Sequence, residues 1–231
     1  LRNIKVADSV VLEGKVCECL LSASQMLNCD LILIGSGSND APPYSLGRSA
    51  KKLLRQAKVP VWISNPKSPL ESFNEIVCAI DFSYRSKKTL ESAINVAQAL
   101  NAKLKITYVC EETSLYLGFS ESLHLNDSDD LLSSLPDRNK AQIDEEVARL
   151  NKAGLKDMEE FIADLDFHDL QIEKEVLYGY AHQEILHTMA KSSAGLLIMG
   201  SHGRGGFIER ILGGTVEKVL DRLNCTILVI T

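Results

Sequence analysis

Apolar residues along the chain fall into two kinds of run. Short continuous stretches rich in β-branched residues, at 75–80, 104–109, 172–177, 196–199 and 226–230, predict strands buried on both faces. Between them, 86–100 carries Leu90, Ala93, Ile94, Ala97 and Leu100 at the helical period. A longer helix is predicted over 139–165, with Ile143, Val147, Leu150, Met158, Phe161 and Ile162 broadly on one side, and shorter ones over 182–191 and 215–222. Regular alternation of strand and helix predicts right-handed parallel βαβ units: an α/β fold with a doubly wound, open, parallel five-stranded sheet. Residues 111–137, rich in Ser, Asp and Asn, are long for a connection and read as a surface excursion or lid.

The front of the chain repeats the back. Val11-Leu12-x-Gly14 recurs 165 positions later as Val176-Leu177-x-Gly179, and the same shift carries Leu31 onto Leu196 and Gly35-Ser36 onto Gly200-Ser201. At 166 positions, Gly47 meets Gly213, Leu54 meets Leu220 and Val61 meets Ile227. The chain therefore divides into 1–65, the C-terminal part of a first copy, a Pro-containing linker at 66–71, and a complete second copy at 72–231. The first copy is expected to hold the unit's last three strands only. With equal repeats, roughly 90 residues of it are absent from this sequence.

Composition narrows the partners. The net charge is -6, and the basic pairs Lys51-Lys52 and Lys87-Lys88 are isolated, so there is no positive stripe to neutralise phosphates along a nucleic acid. No apolar run nears the roughly 20 residues of a membrane-spanning helix. The six cysteines have no zinc-type spacing and read as reduced thiols which, with no export signal, point to the cytoplasm. His182 and His187 lie off a common helical face, and the acidic 127–130 stretch lacks the glycine and distal Glu of a calcium loop.

The chemistry collects at glycines. Gly200-Ser201-His202-Gly203-Arg204-Gly205-Gly206 leaves a buried strand, and after a nine-residue span from Gly203 the chain reaches Gly213-Gly214-Thr215 at a helix start. Glycines allow close backbone approach or positive φ, and a helix start offers unpaired N–H groups, so the pattern predicts a phosphate cradle. Asp81 ends the first strand of the same unit. If that strand neighbours the one ending at Gly200, both flank the crevice where doubly wound sheets bind ligands. A carboxylate there suits a nucleoside amine or hydroxyl. His202 and Arg204 read either as ribose or phosphate contacts or as solvent-facing loop residues.

Gly200-x-x-Gly203, nine residues, then Gly213 with a small residue after it resembles the ATP-binding signature of the universal stress proteins. The likeness extends through Ala79-Ile80-Asp81-Phe82-Ser83, Thr107-Tyr108-Val109, Tyr178-Gly179 and Glu217-Lys218-Val219-Leu220, and the degenerate front copy makes the chain similar to the tandem-domain type. The resemblance implies a Rossmann-like, adenine nucleotide α-hydrolase-like fold in a stress-response regulator that binds ATP, alone or with Mg2+, and is not an enzyme. Asp81, with Ala79 and Ile80 before it, and the backbone of Val109 would hold the adenine. Met199 and Gly200 would line the ribose, and Gly203, Gly213, Gly214 and Thr215 the phosphates, with His202 and Arg204 beside them. Gly214 replaces the family's usual Ser or Thr, and Thr215 stands one place on. In the first copy Ser38 replaces the second glycine and Pro42-Pro43 stiffen the loop, so that copy is read as structural. Alternatives are a slow ATPase or nucleotidyl-transfer enzyme, and a scaffold for another small molecule or for none. No Walker run and no Ser-Gly-Gly-x-Asp loop supports the enzymes.

Each copy ends in an apolar strand, 59–63 and 226–230, and Pro60 suggests a position at the sheet border. The resemblance implies that such strands pair, here between the two copies within one chain or between chains in a homodimer.

Overall fold

The computed structural model describes residues 8–36, 46–65, 73–111, 137–203, 212–222 and 225–231, and of 137–147 the backbone alone. Local rules set the elements. In α3 (Tyr84–Leu100) the Ser83 side chain accepts the Ser86 N–H at the N-cap, and Asn101 closes the helix in the left-handed conformation, φ 53°. Leu90, Ala93, Ile94 and Ala97 form its buried stripe. Strand β3 (Glu75–Ile80) is almost wholly buried, whereas β4 (Lys103–Cys110) alternates, with Leu104 and Ile106 inside and Lys103 and Lys105 half-exposed. Lys105 and its neighbour Lys103 pair with Glu173 on the adjoining strand β5 (Ile172–Tyr178), which holds the Glu173 carboxyl below its usual range.

The remaining elements are α1 (Val16–Met26), β1 (Ile32–Gly35), α2 (Arg48–Gln56) and β2 (Val61–Ser64) in the front segment. The second unit adds α4 (Asp137–Ile162), α5 (Ala181–Lys191), β6 (Leu196–Gly200), α6 (Gly214–Leu220) and β7 (Thr226–Ile230). The sheet order is β1-β2-β7-β6-β3-β4-β5. Within the second unit all neighbours are parallel. Strand β3 lies between β4 and β6, and the chain runs from β3 to one side first and to the other afterwards, which makes the β3–β6 gap the topological switch point.

The sheet has seven strands rather than five, because β2 pairs antiparallel with β7, placing Trp62 opposite Leu228 and Ile63 opposite Ile227. Helices α1, α2, α5 and α6 cover one face, where Leu53, Leu54, Val61 and Ile63 pack in one cluster with Leu197, Val219, Ile227 and Val229. Helices α3 and α4 cover the other face of the second unit.

Two expectations are corrected. Around Val11 the chain is not a strand, and Val11 is 97% exposed. Its counterpart in the second unit, β5, has β4 as its ladder partner, and no strand corresponding to β4 stands beside Val11 among the described residues. Pro60 does not mark a border, since β2 is interior. Pro60 stands just before β2, and its carbonyl accepts the Ile32 N–H at 3.0 Å, so the missing donor costs no ladder bond. The whole 66–71 linker, the 112–136 part of the excursion with its acidic stretch, and the Pro42-Pro43 loop lie outside the described residues.

Candidate functional site

Asp81 follows directly on β3, and the chain turns there through Phe82, a non-glycine residue at φ 59°. A left-handed conformation costs such a residue about 1–2 kcal/mol. Ring packing holds it, with Phe82 4.1 Å from the Tyr108 ring and 5.3 Å from that of Phe161. The turn fixes the carboxylate: Asp81 Oδ1 accepts the Ser83 N–H at 3.0 Å, and the Asp81 N–H donates to Ser86 Oγ at 3.0 Å.

Beyond β6, Ser201 continues the ladder by donating its N–H to Ile230 at 2.7 Å, and its carbonyl accepts the Gly213 N–H at 2.9 Å. The two glycine elements are thereby stitched together. A Cβ at Gly203 would stand 2.9 Å from Asp81 Oδ2, and one at Gly213 would stand 3.3 Å from the Ser201 carbonyl. Close approach therefore requires these glycines. Positive φ does not: among the described glycines it occurs at Gly14 and Gly179. Ser201 Oγ lies 2.8 Å from His202 Nδ1 and fixes that ring.

These pieces enclose a cavity of about 600 Å³ at the carboxyl ends of β3, β4 and β6 and the starts of α5 and α6. Ala79, Ile80, Asp81, Val109, Met199, Gly200, His202, Gly203, Gly213, Gly214 and Thr215 all line it. Arg204 lies outside the described residues. Glu111, Ala181 and Ile185 also line the cavity and were not singled out from the sequence, and Thr107 and Tyr108, which carry part of the family likeness without a site role, join them. Strand alternation carries Thr107 to the same face as Val109. Its hydroxyl turns to Glu175 at 3.5 Å, while Glu111 Oε1 accepts the Ala181 N–H at 2.9 Å. No alternation or motif in the sequence signals that last bond, which joins a strand end to a helix start 70 residues on.

The electrostatics are lopsided. The carboxylates Asp81 and Glu111 and the His202 imidazole line the cavity, while His182, on the first turn of α5, has its pKa pushed down by burial and then by the cations Lys218 and Arg222. All six cysteines are free thiols, and burial raises Cys225 to about 12 and Cys78 higher still, so both stay protonated near neutrality. Among the described residues no His, Cys, Asp and Glu cluster could hold a metal, and no helix is long and apolar enough to cross a membrane. In the front segment no atom of the described residues lies within 4 Å of where a Cβ on Gly35 or Gly47 would stand.

A model of the universal stress protein family matches residues 72–231. The chain is 27% identical over 158 residues to universal stress protein YxiE of Bacillus subtilis, covering 68% of this chain and 99% of that protein. To universal stress protein MJ0531 of Methanocaldococcus jannaschii it is 28% identical over 158 residues, covering 68% of this chain and 82% of that one. The crystal structure of a universal stress protein from Archaeoglobus fulgidus matches with a TM-score of 0.60 at 24% identity, over 93% of this chain and 64% of that chain. This chain thus spans less than two thirds of that protein's length, and the likeness speaks to the fold.

Proposed function

The chain belongs to the universal stress protein family, and we propose that its 72–231 unit binds one ATP in the switch-point cavity, as a stress-response regulator with little or no hydrolysis. The observation that carries this reading is the contact of Gly203 and Gly213 with Asp81 and the 201–203 turn, which leaves backbone rather than side chains around the space where phosphates would lie. The cavity volume suits a ligand of nucleotide size. Mg2+ would arrive with the phosphates rather than on a protein cage. Beside them the cavity wall offers positioned backbone and, for proton transfer, His202, so it orients a triphosphate without a dedicated base for water.

The front segment completes the reading as the remainder of a tandem partner. Helix α1 shifted by 165 positions coincides with α5, and Gly14 and Gly179, which correspond at that shift, share φ values of 140° and 142°. The β2–β7 ladder is then the pairing of the two copies within one chain, and a homodimer is the alternative pairing of such terminal strands. Among the described residues nothing packs close to Gly35 or Gly47, which supports a structural, non-binding role for the front copy. The free thiols fit the cytoplasm.

Calorimetric titration with ATP should give one site per chain, and turnover should stay well below the roughly 1 per second of working enzymes. Two equal sites, or none, would overturn the reading, and turnover at that rate would move it to the ATPase class.

Gly214 gives a second test. It is exposed, and among the described residues a Cβ there meets nothing within 4 Å, so none of them clashes with the hydroxyl that the family signature carries. Gly214→Ser is expected to tighten ATP binding about tenfold, the worth of one hydrogen bond to a charged phosphate. Unchanged affinity in the same titration would mean that Thr215 already supplies that contact.

A further inference from the structure

The β2–β7 ladder has a symmetry that follows from the sequence repeat. At a shift of 166 positions Val61, Trp62 and Ile63 correspond to Ile227, Leu228 and Val229. In the ladder Val61 stands opposite Val229, Trp62 opposite Leu228 and Ile63 opposite Ile227. Exchanging the two copies turns this register into itself, so an approximate two-fold axis passes between Trp62 and Leu228. A ladder between like copies would therefore have the same backbone geometry as the ladder between unlike ones, and its side chains are apolar in both.

The helices beside the ladder differ in charge. Lys51 pairs with Asp221 at 2.5 Å and Arg55 with Glu217 at 2.8 Å. The same shift carries Lys51 onto Glu217 and Arg55 onto Asp221, so both positions reverse sign between the copies and the axis carries one ion pair onto the other. In α2, Arg48, Lys51, Lys52 and Arg55 are all cations with no acid among them. Two second units joined through their β7 strands would set Glu217 against Asp221 twice, and two front segments would set Lys51 against Arg55 twice. We infer that these four side chains select the pairing, admitting a front copy against a second unit and rejecting either copy against its like. Partly exposed ion pairs add little affinity, but like charges in their place carry a cost, so the effect falls on the choice of partner. The inference rests on reading the two segments as copies, and adds which copies can pair.

Hydrogen exchange over α2 and β2 in the whole chain reads the unlike pairing. Lys51→Glu with Arg55→Glu should raise opening of the front segment about tenfold, and so should Glu217→Lys with Asp221→Lys. Joining all four changes should return exchange to within about threefold of the parent. Effects that add instead of cancelling overturn the inference. Sedimentation of Ile63→Asp, which breaks the ladder from the front side and uncovers β7, reads the like pairing. In that background Glu217→Lys alone sets lysine against Asp221 across a β7–β7 dimer and should strengthen self-association about tenfold. Adding Asp221→Lys sets lysine against lysine and should abolish the gain, and equal self-association of the two variants overturns the selection. A parent chain without protection over β2 overturns the reading as paired copies as well, whereas failed cancellation in a protected parent leaves that reading standing.

Discussion

Gly203→Val should lower ATP affinity about a hundredfold or more while the protein stays folded. A Cβ at this position would already sit 2.9 Å from Asp81 Oδ2, and the two methyls of valine extend further into the same space. The Asp81 carboxylate cannot simply yield, because Oδ1 is tied to the Ser83 N–H and the Asp81 N–H to Ser86 Oγ. To admit valine, either that turn or the 201–203 turn must move. The first removes the acceptor proposed for the base, and the second shifts the backbone proposed for the phosphates. Losing a charge-assisted contact on either side costs about 2–3 kcal/mol, which is the expected hundredfold. Gly214→Ala is the control: its Cβ meets none of the described residues within 4 Å, and its affinity should stay within about threefold of the parent. Titration of both variants, with a melting curve to confirm folding, decides the matter. Gly203→Val binding ATP like the parent would mean that the cavity is not where the nucleotide goes.

How much of this was legible beforehand differs between the two segments. In the second unit, Ile76, Val77 and Cys78 form an unbroken apolar run because β3 is packed on both faces, by the α5–α6 side and by the α3–α4 side. In β4 the two lysines alternate with Leu104 and Ile106 because their end of one face carries ion pairs to Glu173 and Glu175 rather than an apolar cluster. Burial on one face or two writes itself directly into the periodicity, so strand placement followed. The Val10-Val11-Leu12 run shows the limit of that logic. A short apolar run becomes a strand when a neighbouring ladder satisfies its backbone, and Val11 has none among the described residues.

The site divides in the same way. Asp81, Gly200 and Gly213 stand at strand ends and a helix start, positions a sequence locates well, and the switch point then brings them together. The reason for the glycines was not legible. Positive φ and close approach leave the same residue type in the sequence, and only the distance from Gly203 to Asp81 separates them. Glu111 was invisible for a related reason, since its meaning comes from a contact with Ala181 across the sheet surface.

Ile63→Asp should unfold the front segment and leave the nucleotide site working. Ile63 is 2% exposed, opposes Ile227 in the β2–β7 ladder and packs in the cluster that joins both segments. An aspartate there has no cation beside it in that apolar cluster, and burying it costs about 4 kcal/mol or more. The front segment cannot absorb such a loss. The two strands and two helices among its described residues are too small a set to enclose a core, and their buried residues Leu53, Leu54 and Val61 find partners such as Ile227 and Val229 on the other side of the ladder. The second unit is not dependent in return, because β3, β4, β6, α3 and α4 form a cluster of their own. The single tryptophan reports the event: Trp62 is half-buried and lies edge-on to Phe73 at 6.0 Å, so its emission should shift to the red and become open to quenchers. Hydrogen exchange should show protection lost over α1, β1, α2 and β2 and kept over β3, β4 and β6, with ATP affinity within about threefold of the parent. Strand β7 would then present an uncovered apolar edge, and the variant should self-associate as concentration rises. Unchanged Trp62 emission, or loss of protection throughout the chain together with ATP binding, would show that the two segments do not stand in this one-sided dependence.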